Sequence, residues 1–401
     1  MINEQAPGGL KVLMVAPTSF FNDYGGHIRI LEETLSLTKL GHQVTIVTYY
    51  MGHDVNGVDI QRTPALPWHP DYEVGSSRHK VAFDAYLAAT ALKVGLQMRP
   101  DIVHGHMHEG ALIGGLVARL LRVPAVFDYQ GSLTGEMVDH GFLSPDGRYY
   151  GWMRRLERFI CHLPDAILTS SERAQRNLSD GFGVKSEVIH ALPDCVDMER
   201  FNPDQLDAAQ KREMKRSLGI PPGRTVVAYL GLLADYQGIP QLIEAAARLA
   251  QEQADVHFLI MGYPRVEHYR QMAQAAGVAE RVTFTGKMSY QEAPKYLALG
   301  DMAVSAKVSA TEGSGKVLNY MAMAQPVVAS DTPVHREYLD SLGVYGPPGD
   351  ADGLVRGFEW LLADEARARE VGLQLQERAR KRYSWQQAGR RIDALYRQLV
   401  G

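Results

Sequence analysis

Two successive series of short apolar runs dominate this sequence, and each run has the length of a buried β-strand. Stretches with helical periodicity separate the runs, which is the pattern of parallel sheets covered by helices on both faces. A chain of 401 residues is too long for one ordinary core. The sequence therefore predicts an α/β protein with two doubly wound domains. The runs are 11–17, 44–48, 99–104, 123–127, 164–170 and 192–197, then 226–230, 256–261, 282–284, 302–305 and 327–329.

The domain boundary is predicted near residue 205, because Phe201-Asn-Pro203 precedes a charged, helix-like stretch over 207–218. We expect a first domain over 1–205 and a second over 206–382. A C-terminal helix is predicted over 383–401, where apolar residues recur at helical spacing: Trp385, Ala388, Ile392, Leu395 and Leu399.

Composition narrows the class of protein. With 45% hydrophobic and 22% charged residues, the chain has the composition of a soluble globular protein. A net charge of -4 argues against nucleic acid as the main partner. The two cysteines, Cys161 and Cys195, support neither a disulfide framework nor a Cys-rich metal site. Neither a signal peptide nor a membrane span is apparent, so we expect a cytoplasmic protein.

The stretch 311–330 reads as a polar Gly-rich loop, a short helix and a buried strand. Gly313 and Gly315 allow close approach of the backbone to a ligand, and a helix beginning near Lys316 directs its N–H groups and positive dipole end at that loop. Lys316 adds a cation and Glu312 an acceptor for hydroxyl groups. These features together favour an anionic, polyhydroxylic ligand such as a nucleotide sugar. A loop that merely caps a helix is the alternative.

This segment resembles the donor-site signature of the family 4 retaining glycosyltransferases. In that signature a Glu followed by Gly-x-Gly leads to a second Glu, then Ala-Met-Ala and Pro-Val-Val. Here the second Glu is replaced by Asn319, and the stretch is one residue shorter. The resemblance extends over nearly the whole chain, with counterparts for Tyr24-Gly-Gly-His27 after the first strand and for Pro193-Asp-Cys-Val-Asp197 before the domain boundary.

The resemblance implies the GT-B fold, in which two Rossmann-like domains face each other across a cleft that holds the active site. It also implies that the closing helix packs back on the N-terminal domain. The implied activity is retaining, metal-independent transfer of a sugar from a nucleoside diphosphate donor to an acceptor hydroxyl. No cofactor and no metal ion are expected.

The resemblance also assigns roles to residues. Glu312 would hold donor-sugar hydroxyls and the transition-state ring, and Asn319 the ribose hydroxyls. Gln130 stands where the family usually has a His beside the leaving phosphate, and it can form hydrogen bonds but cannot titrate. His108 and Glu109 are candidate acceptor contacts. The base would meet the backbone of Gly286, Lys287 and Met288, and the diphosphate would be surrounded by Gly25, Gly26, Gly313, Ser314, Gly315 and Lys316.

Two departures from the family pattern concern charge. Family members commonly carry an Arg and a Lys that neutralise the departing diphosphate, and this chain has Leu232 and Gln237 in those places. Because this neutralisation is the main electrostatic task in a metal-free mechanism, we expect Lys316 to compensate, with Lys307 and Lys287 as weaker candidates.

The run His104-Gly-His-Met-His108 offers a competing interpretation. Alternate residues of a strand share one face, and clustered imidazoles can bind zinc, as at the start of many amidohydrolase sites. No later His or Asp constellation in the sequence completes such a site. We therefore expect strand-end histidines held by hydrogen bonds.

Two further alternatives stay open: a sugar-nucleotide epimerase on the same fold, and a non-catalytic member that binds a sugar nucleotide. The acceptor is predicted to be a small molecule, a glycan or a lipid-linked compound. Aromatic and basic residues cluster in 66–72, 78–80 and 141–155, which fits either a peripheral contact with the inner membrane face or an ordinary mixed surface. The sequence does not specify the donor, the acceptor or the oligomeric state.

Overall fold

The computed structural model describes residues 8–22, 25–65, 80–139, 142–308 and 314–401. The chain divides into two compact units. Unit 1 comprises Met1–Asp194 and Trp385–Gly401, and unit 2 comprises Cys195–Ser384. The segment 195–205, which sequence reasoning placed in the first domain, packs in unit 2, where Phe201 lies against Tyr290 with ring centroids 5.6 Å apart.

Unit 1 is built on a seven-stranded parallel sheet with the order β3-β2-β1-β4-β5-β6-β7. Most strands are buried on both faces, as their continuous apolar runs require. The strands are β1 (Lys11–Ala16), β2 (Gln43–Thr48), β3 (Asp59–Arg62), β4 (Ile102–His106), β5 (Ala125–Tyr129), β6 (Ala166–Thr169) and β7 (Ile189–Ala191). The helices of its first segment are α1 (Gly25–Lys39), α2 (Lys80–Met98), α3 (Met107–Leu121), α4 (Leu133–Asp139), α5 (Tyr150–Cys161) and α6 (Glu172–Arg176).

Unit 2 contains a six-stranded parallel sheet with the order β10-β9-β8-β11-β12-β13. Its strands are β8 (Thr225–Leu230), β9 (Val256–Met261), β10 (Val282–Gly286), β11 (Met302–Ser305), β12 (Val327–Ser330) and β13 (Val344–Gly346). Its helices are α7 (Ala208–Ser217), α8 (Ile239–Gln251), α9 (Val266–Ala275), α10 (Ala293–Leu297), α11 (Gly315–Ala322), α12 (Pro333–Leu339), α13 (Ala351–Leu362) and α14 (Glu365–Arg382).

The last helix, α15 (Trp385–Val400), belongs to unit 1 and packs along α1. Contact is close enough that a Cβ on Gly389 would lie 2.8 Å from Ser36 Cβ. His42, just before β2, accepts at Nδ1 from Leu10 N and donates from Nε2 to Asp393 of this helix, at 2.9 Å. The helix therefore completes the first sheet's cover although it is the last segment of the chain.

Strand order reverses once in each sheet, between β1 and β4 in unit 1 and between β8 and β11 in unit 2. Open α/β sheets bind ligands outside the carboxyl ends of the strands at such a reversal. The loops after these four strands are therefore the places to examine for function. Among the helices of the described residues, none has both the length and the apolarity to cross a bilayer.

The structure corrects three elements of the sequence-based prediction. The run 192–197 is not a strand, because the strand at this place is β7, which ends at Ala191. Pro193 removes a ladder donor, and Val196 forms only an isolated bridge, to Ser384. Strands β3 and β13 were not predicted. Both are short edge strands with partly exposed residues, so neither has a continuous apolar run.

Candidate active site

The strand reversal in unit 1 leads from β1 into the N-terminus of α1. Gly25 and Gly26 form its first turn, which holds no acidic residue. Among the described residues, a Cβ on Gly25 would meet nothing within 4 Å, and one on Gly26 would meet only Gln130 Oε1, at 3.4 Å. The backbone N–H groups of this turn are thus open to an anion, as expected for a helix N-terminus.

A buried ionic network lies behind this turn. Arg29 donates to Asp128 through Nε and Nη2, at 2.9 and 2.7 Å from the carboxylate oxygens. It also lies 3.1 Å from Glu33 and 3.2 Å from Asp194. The side chains of Arg29, Asp128 and Glu33 are at most 5% exposed. The charged face of α1 is therefore turned inward, which its apolar spacing did not indicate.

Charge balance sets the protonation states in this network. Burial alone would raise the pKa of Asp128, but the Arg29 guanidinium and His106 outweigh it and hold that pKa far below its usual range. Burial and the neighbouring Asp128 raise the pKa of Glu33. Burial, together with His106, lowers the pKa of His104, so that this imidazole is neutral. Asp128 is therefore the firmly ionised member of the group.

Gln130 extends this network towards the glycine turn. Its Nε2 donates to Asp128 Oδ2 at 2.9 Å. Because Asp128 is ionised and can only accept, the amide nitrogen of Gln130 is fixed on that side and Oε1 faces Gly26. Gln130 thus presents a hydrogen-bond acceptor beside the first turn of α1.

The three histidines of the predicted cluster have separate surroundings. His104 Nδ1 lies 2.6 Å from the Tyr396 hydroxyl, and His106 Nδ1 lies 3.2 Å from Asp128 Oδ2. His108 is 5% exposed and packs against Phe127 and Tyr129, with Nε2 3.5 Å from Glu157. Its contact with an acceptor stays a prediction, and its burial gives it an internal packing role.

Glu109 has a different environment from the histidines before it. It forms an ion pair with Lys80. Burial would raise its pKa, but the neighbouring ammonium lowers it. Glu109 is therefore ionised, and its proposed contact with an acceptor also stays a prediction.

The strand reversal in unit 2 brings Lys316 next to Gln237. Lys316 Nζ donates to Gln237 Oε1 at 2.6 Å and lies 3.3 Å from the Tyr229 hydroxyl. The ammonium also lies 4.5 Å from the centroid of the Tyr229 ring, a cation–π contact. A half-buried cation is therefore held at the start of α11.

Gly231 shapes the same place. Its φ of 152° lies at the edge of the region that favours glycine, and an added Cβ would come 3.2 Å from the Tyr229 hydroxyl and 3.3 Å from Lys316 Nζ. The Tyr320 hydroxyl accepts from Leu230 N at 2.8 Å and so ties the end of β8 to α11. The loop after β8 therefore lies directly against the ammonium.

The rest of the predicted donor set is distributed around this position. Ser314, the residue before α11, has its hydroxyl 3.1 Å from His335 Nε2. Asn319 is half-buried and lies one turn after Lys316, on the same side of α11. Glu312 and Gly313 fall outside the described residues. Gly286, with φ 82°, ends β10, and Lys287 and Met288 follow it.

The other two lysines considered as replacements differ in exposure. Lys307 is 1% exposed and lies two residues after the end of β11. Lys287 is exposed and lies 5.4 Å from the Tyr263 ring centroid. Lys316 alone of the three has both partial exposure and a described position in the first turn of a helix.

Family comparisons agree with this arrangement. The model of the family described as Glycosyltransferase Family 4 matches residues 25–200, and that described as Glycosyl transferases group 1 matches residues 210–382. A GDP-mannose-dependent alpha-(1-6)-phosphatidylinositol monomannoside mannosyltransferase of Mycolicibacterium smegmatis is 31% identical, over 63% of this chain and 68% of its own length. The chain belongs to the family 4 glycosyltransferases.

Other relatives and solved structures extend the comparison. An alpha-monoglucosyldiacylglycerol synthase of Streptococcus pneumoniae is 26% identical over 76% of this chain and 67% of its own. The sucrose-phosphate synthase of Thermosynechococcus elongatus superposes with a TM-score of 0.78 at 18% identity, over 97% of this chain and 99% of that one. Anabaena HepE in complex with UDP and glucose gives a TM-score of 0.76 at 15% identity, over 96% and 99%. The predicted family and its GT-B fold are confirmed.

The structure shows the surroundings of Leu232 and Gln237, the two residues that replace the family's usual Arg and Lys. Leu232 is 41% exposed and brings no charge. Gln237, at the place of the usual Lys, is 8% exposed and accepts a hydrogen bond from Lys316. Sequence reasoning named Lys316 but missed Tyr229, whose only sequence signal is a polar hydroxyl at the end of a buried strand. It also missed Arg29 and the ion pair that Arg29 forms with Asp128, whose signal is a charge within an otherwise apolar element.

Proposed function

We propose that this chain is a retaining, metal-independent glycosyltransferase that moves a sugar from a nucleoside diphosphate to an acceptor hydroxyl. The observation that carries the proposal is the Lys316 ammonium, held by Gln237 and Tyr229 in the first turn of α11 beside Gly231. A fixed cation at a helix N-terminus is suited to a diphosphate whose negative charge grows as the sugar leaves.

The proposed reaction needs no protein nucleophile. The bond between the anomeric carbon and the diphosphate oxygen breaks, and the acceptor oxygen forms its bond on the same face of the sugar. The acceptor proton passes to an oxygen of the departing diphosphate. Lys316 stabilises the charge on that leaving group, and Glu312 holds the sugar hydroxyls. The uncharged Gln130 can accept a hydrogen bond from a hydroxyl group but takes no part in proton transfer.

The binding roles of the remaining residues are part of the same proposal. Asn319 would accept from the ribose hydroxyls, since its side chain lies one turn beyond Lys316. The backbone at Gly286, Lys287 and Met288 would meet the base. The open N–H groups of Gly25 and Gly26, together with those near Ser314 and Gly315, would contact phosphate oxygens.

Three measurements test the proposal. A thermal-shift screen of UDP-, GDP- and ADP-sugars identifies the donor, because a ligand at a hundred times its Kd adds about 2.7 kcal/mol of stability. Transfer to an acceptor is then followed by NMR, with the donor and product anomeric configurations compared. Activity should persist in excess EDTA. Inversion of configuration, or loss of activity that Mg²⁺ or Mn²⁺ restores, would contradict the proposed mechanism.

The same binding screen and NMR assay distinguish a transferase from an epimerase and from a non-catalytic protein. An epimerase would convert the donor sugar without an acceptor, whereas a non-catalytic member would bind the donor and leave it intact. Of the proteins named above, one is named a mannosyltransferase and two are named synthases, and none of those names describes an epimerase.

A lipid-linked acceptor is favoured by one exposed face of α5. Trp152 and Phe159, 61% and 51% exposed, lie on the same side of this helix as Arg155. Phe142 and Tyr149, 58% and 59% exposed, precede the helix. Aromatic side chains among arginines suit the interface of an anionic membrane, and two of the relatives above are named for lipid products or acceptors.

Vesicle binding tests this second proposal. The protein should sediment with phosphatidylcholine vesicles that contain phosphatidylglycerol, and much less with phosphatidylcholine alone. A Trp152→Ser/Phe159→Ser variant should lose the binding. Leu373→Ser, which changes a 54% exposed residue of α14, serves as the matched control and should keep it. Equal sedimentation of the double variant and the control would refute the assignment of this face.

A further inference from the structure

Three side chains from two elements of unit 1 meet in its interior. Glu33 projects from α1, and His104 and His106 from β4, with all three side chains 0% exposed. A carboxylate oxygen and two ring nitrogens of this group lie within 4.8 Å of one another. Among the described residues, Glu33 Oε2, His104 Nε2 and His106 Nε2 have no hydrogen-bond partner. Buried polar atoms without a partner are rare and call for a physical explanation.

The opposite nitrogen of each imidazole is already engaged. His106 Nδ1 faces the ionised Asp128 at 3.2 Å, so it carries the proton and donates. His106 Nε2, the other ring nitrogen, has no hydrogen-bond partner among the described residues. His104 Nδ1 lies 2.6 Å from the Tyr396 hydroxyl, whose oxygen can accept a hydrogen bond from it. A hydrogen bond from the second ring nitrogen to a carboxylate or hydroxyl is the usual support of a metal-ligating histidine.

The charged groups around Arg29 also favour a bound cation. With Glu33 ionised, as a carboxylate ligand of a metal ion must be, Glu33, Asp128 and Asp194 around the single guanidinium of Arg29 leave two negative charges among these four groups. Burying net charge is costly unless a partner balances it. One divalent cation bound by Glu33 would neutralise the group.

We propose that Glu33, His104 and His106 form a buried binding site for a divalent transition-metal ion, with Zn²⁺ as the ion that best fits one carboxylate and two imidazoles. Glu33 Oε2 and His104 Nε2 are 3.9 Å apart. Ligands of tetrahedral zinc lie ~3.4 Å apart, so the side chains need to move by less than about 1 Å.

The ion has a structural role in this proposal. It joins the third turn of α1 to β4, and through His104 and Tyr396 it reaches α15. The site does not rest on the proposed transferase chemistry and supplies no metal to the diphosphate. Because its ligands are buried, it takes up metal as the chain folds.

Metal content tests the proposal. The tag-free protein is dialysed against EDTA and analysed by inductively coupled plasma mass spectrometry, where we expect about one zinc per chain. Glu33→Gln and His106→Gln should lose the metal. His108→Gln, a buried histidine of the same run outside the group, is the matched control and should retain it. Metal-free wild-type protein, or equal metal in Glu33→Gln and wild type, would overturn the site.

A refolding experiment keeps the proposal testable if the variants do not fold. Wild-type protein is unfolded with a chelator and refolded with Co²⁺ or with EDTA. The cobalt form should show visible d–d absorption of a nitrogen and oxygen site and a higher Tm than the EDTA form. Refolding that gives equal Tm values and no cobalt absorption would mean that a shared proton, not a metal ion, balances Glu33.

Discussion

Replacing Lys316 by Ala is the most direct perturbation of the candidate donor site. A hydrogen bond from an ammonium to a phosphate contributes about 1.5–3 kcal/mol, and each 1.4 kcal/mol is about tenfold in Kd. We therefore expect nucleoside diphosphate affinity to fall roughly ten- to hundredfold. Turnover should fall as well, because the charge on the leaving diphosphate grows in the transition state.

The same substitution has a cost in stability that can be measured separately. It removes the cation–π contact with Tyr229, about 0.5–1 kcal/mol, and leaves the nearly buried Gln237 Oε1 without its donor, about 1–3 kcal/mol. The free energy of unfolding should thus fall by about 2–4 kcal/mol. Lys316→Arg should keep much of the binding but less of the rate, since a planar guanidinium does not replace a compact ammonium.

Isothermal titration calorimetry with UDP, GDP and ADP measures the affinity, and urea denaturation measures stability. Lys295→Ala, an exposed lysine on α10 of the same unit, is the control for loss of one positive charge. Unchanged affinity of a folded Lys316→Ala protein would refute the idea that this lysine compensates for Leu232 and Gln237.

Three further substitutions test separate parts of the description. Gln237→Lys restores the family's usual cation but places it beside Lys316, where two charges ~4 Å apart repel by about 4 kcal/mol; we expect a lower Tm without ligand and a larger Tm increase on adding a nucleoside diphosphate than in wild type, and an equal increase would contradict this. Glu312→Ala should fold normally and lose on the order of a hundredfold in transfer rate, or about 3 kcal/mol, and near-full activity would remove Glu312 from the site. Burial lowers the pKa of His335 from 6.5 to about 4, with Lys316 and Lys307 adding to the effect. Because the unfolded chain then takes up a proton before the folded one, stability is complete above pH 6.5 and declines as the pH falls towards about 4, by up to about 3 kcal/mol. Urea unfolding of wild type and His335→Asn across that range should show a smaller acid loss in the variant, and parallel pH profiles would exclude His335 as the cause.

The parallel architecture was predictable because strands covered on both faces must be apolar throughout. The apolar runs at 12–16, 226–230 and 256–261 predict such strands without any tertiary information. The edge strands β3 and β13 gave no comparable signal, since one side of each meets solvent or a loop. The same limit applies to Leu192, which is apolar and buried but follows β7 instead of forming a strand.

For the candidate site, sequence reasoning succeeded where a local motif carried the chemistry and failed where distant residues combine. Gly25, Gly26 and Lys316 were expected from glycine turns and a helix start. The burial of Arg29 and Glu33 in α1 was not expected. In the sequence they resemble solvated charges, and only the fold places Asp128 against Arg29. A search of the sequence after His104 and His106 for His or Asp did not find Glu33, which precedes them in the chain and lies beside them only in the folded structure.

The sequence by itself determined two parallel α/β domains, a family and a cationic helix start, because hydrophobic runs, glycine turns and helix termini act over a few residues. Only the tertiary structure decided that Lys316 contacts Gln237, 79 positions away in the chain, and that α15 returns to cover α1. It alone also decided that Glu33 meets two histidines in a buried group. Contacts between residues distant in the chain depend on the order of strands in a sheet. The same local sequence pattern is compatible with several strand orders.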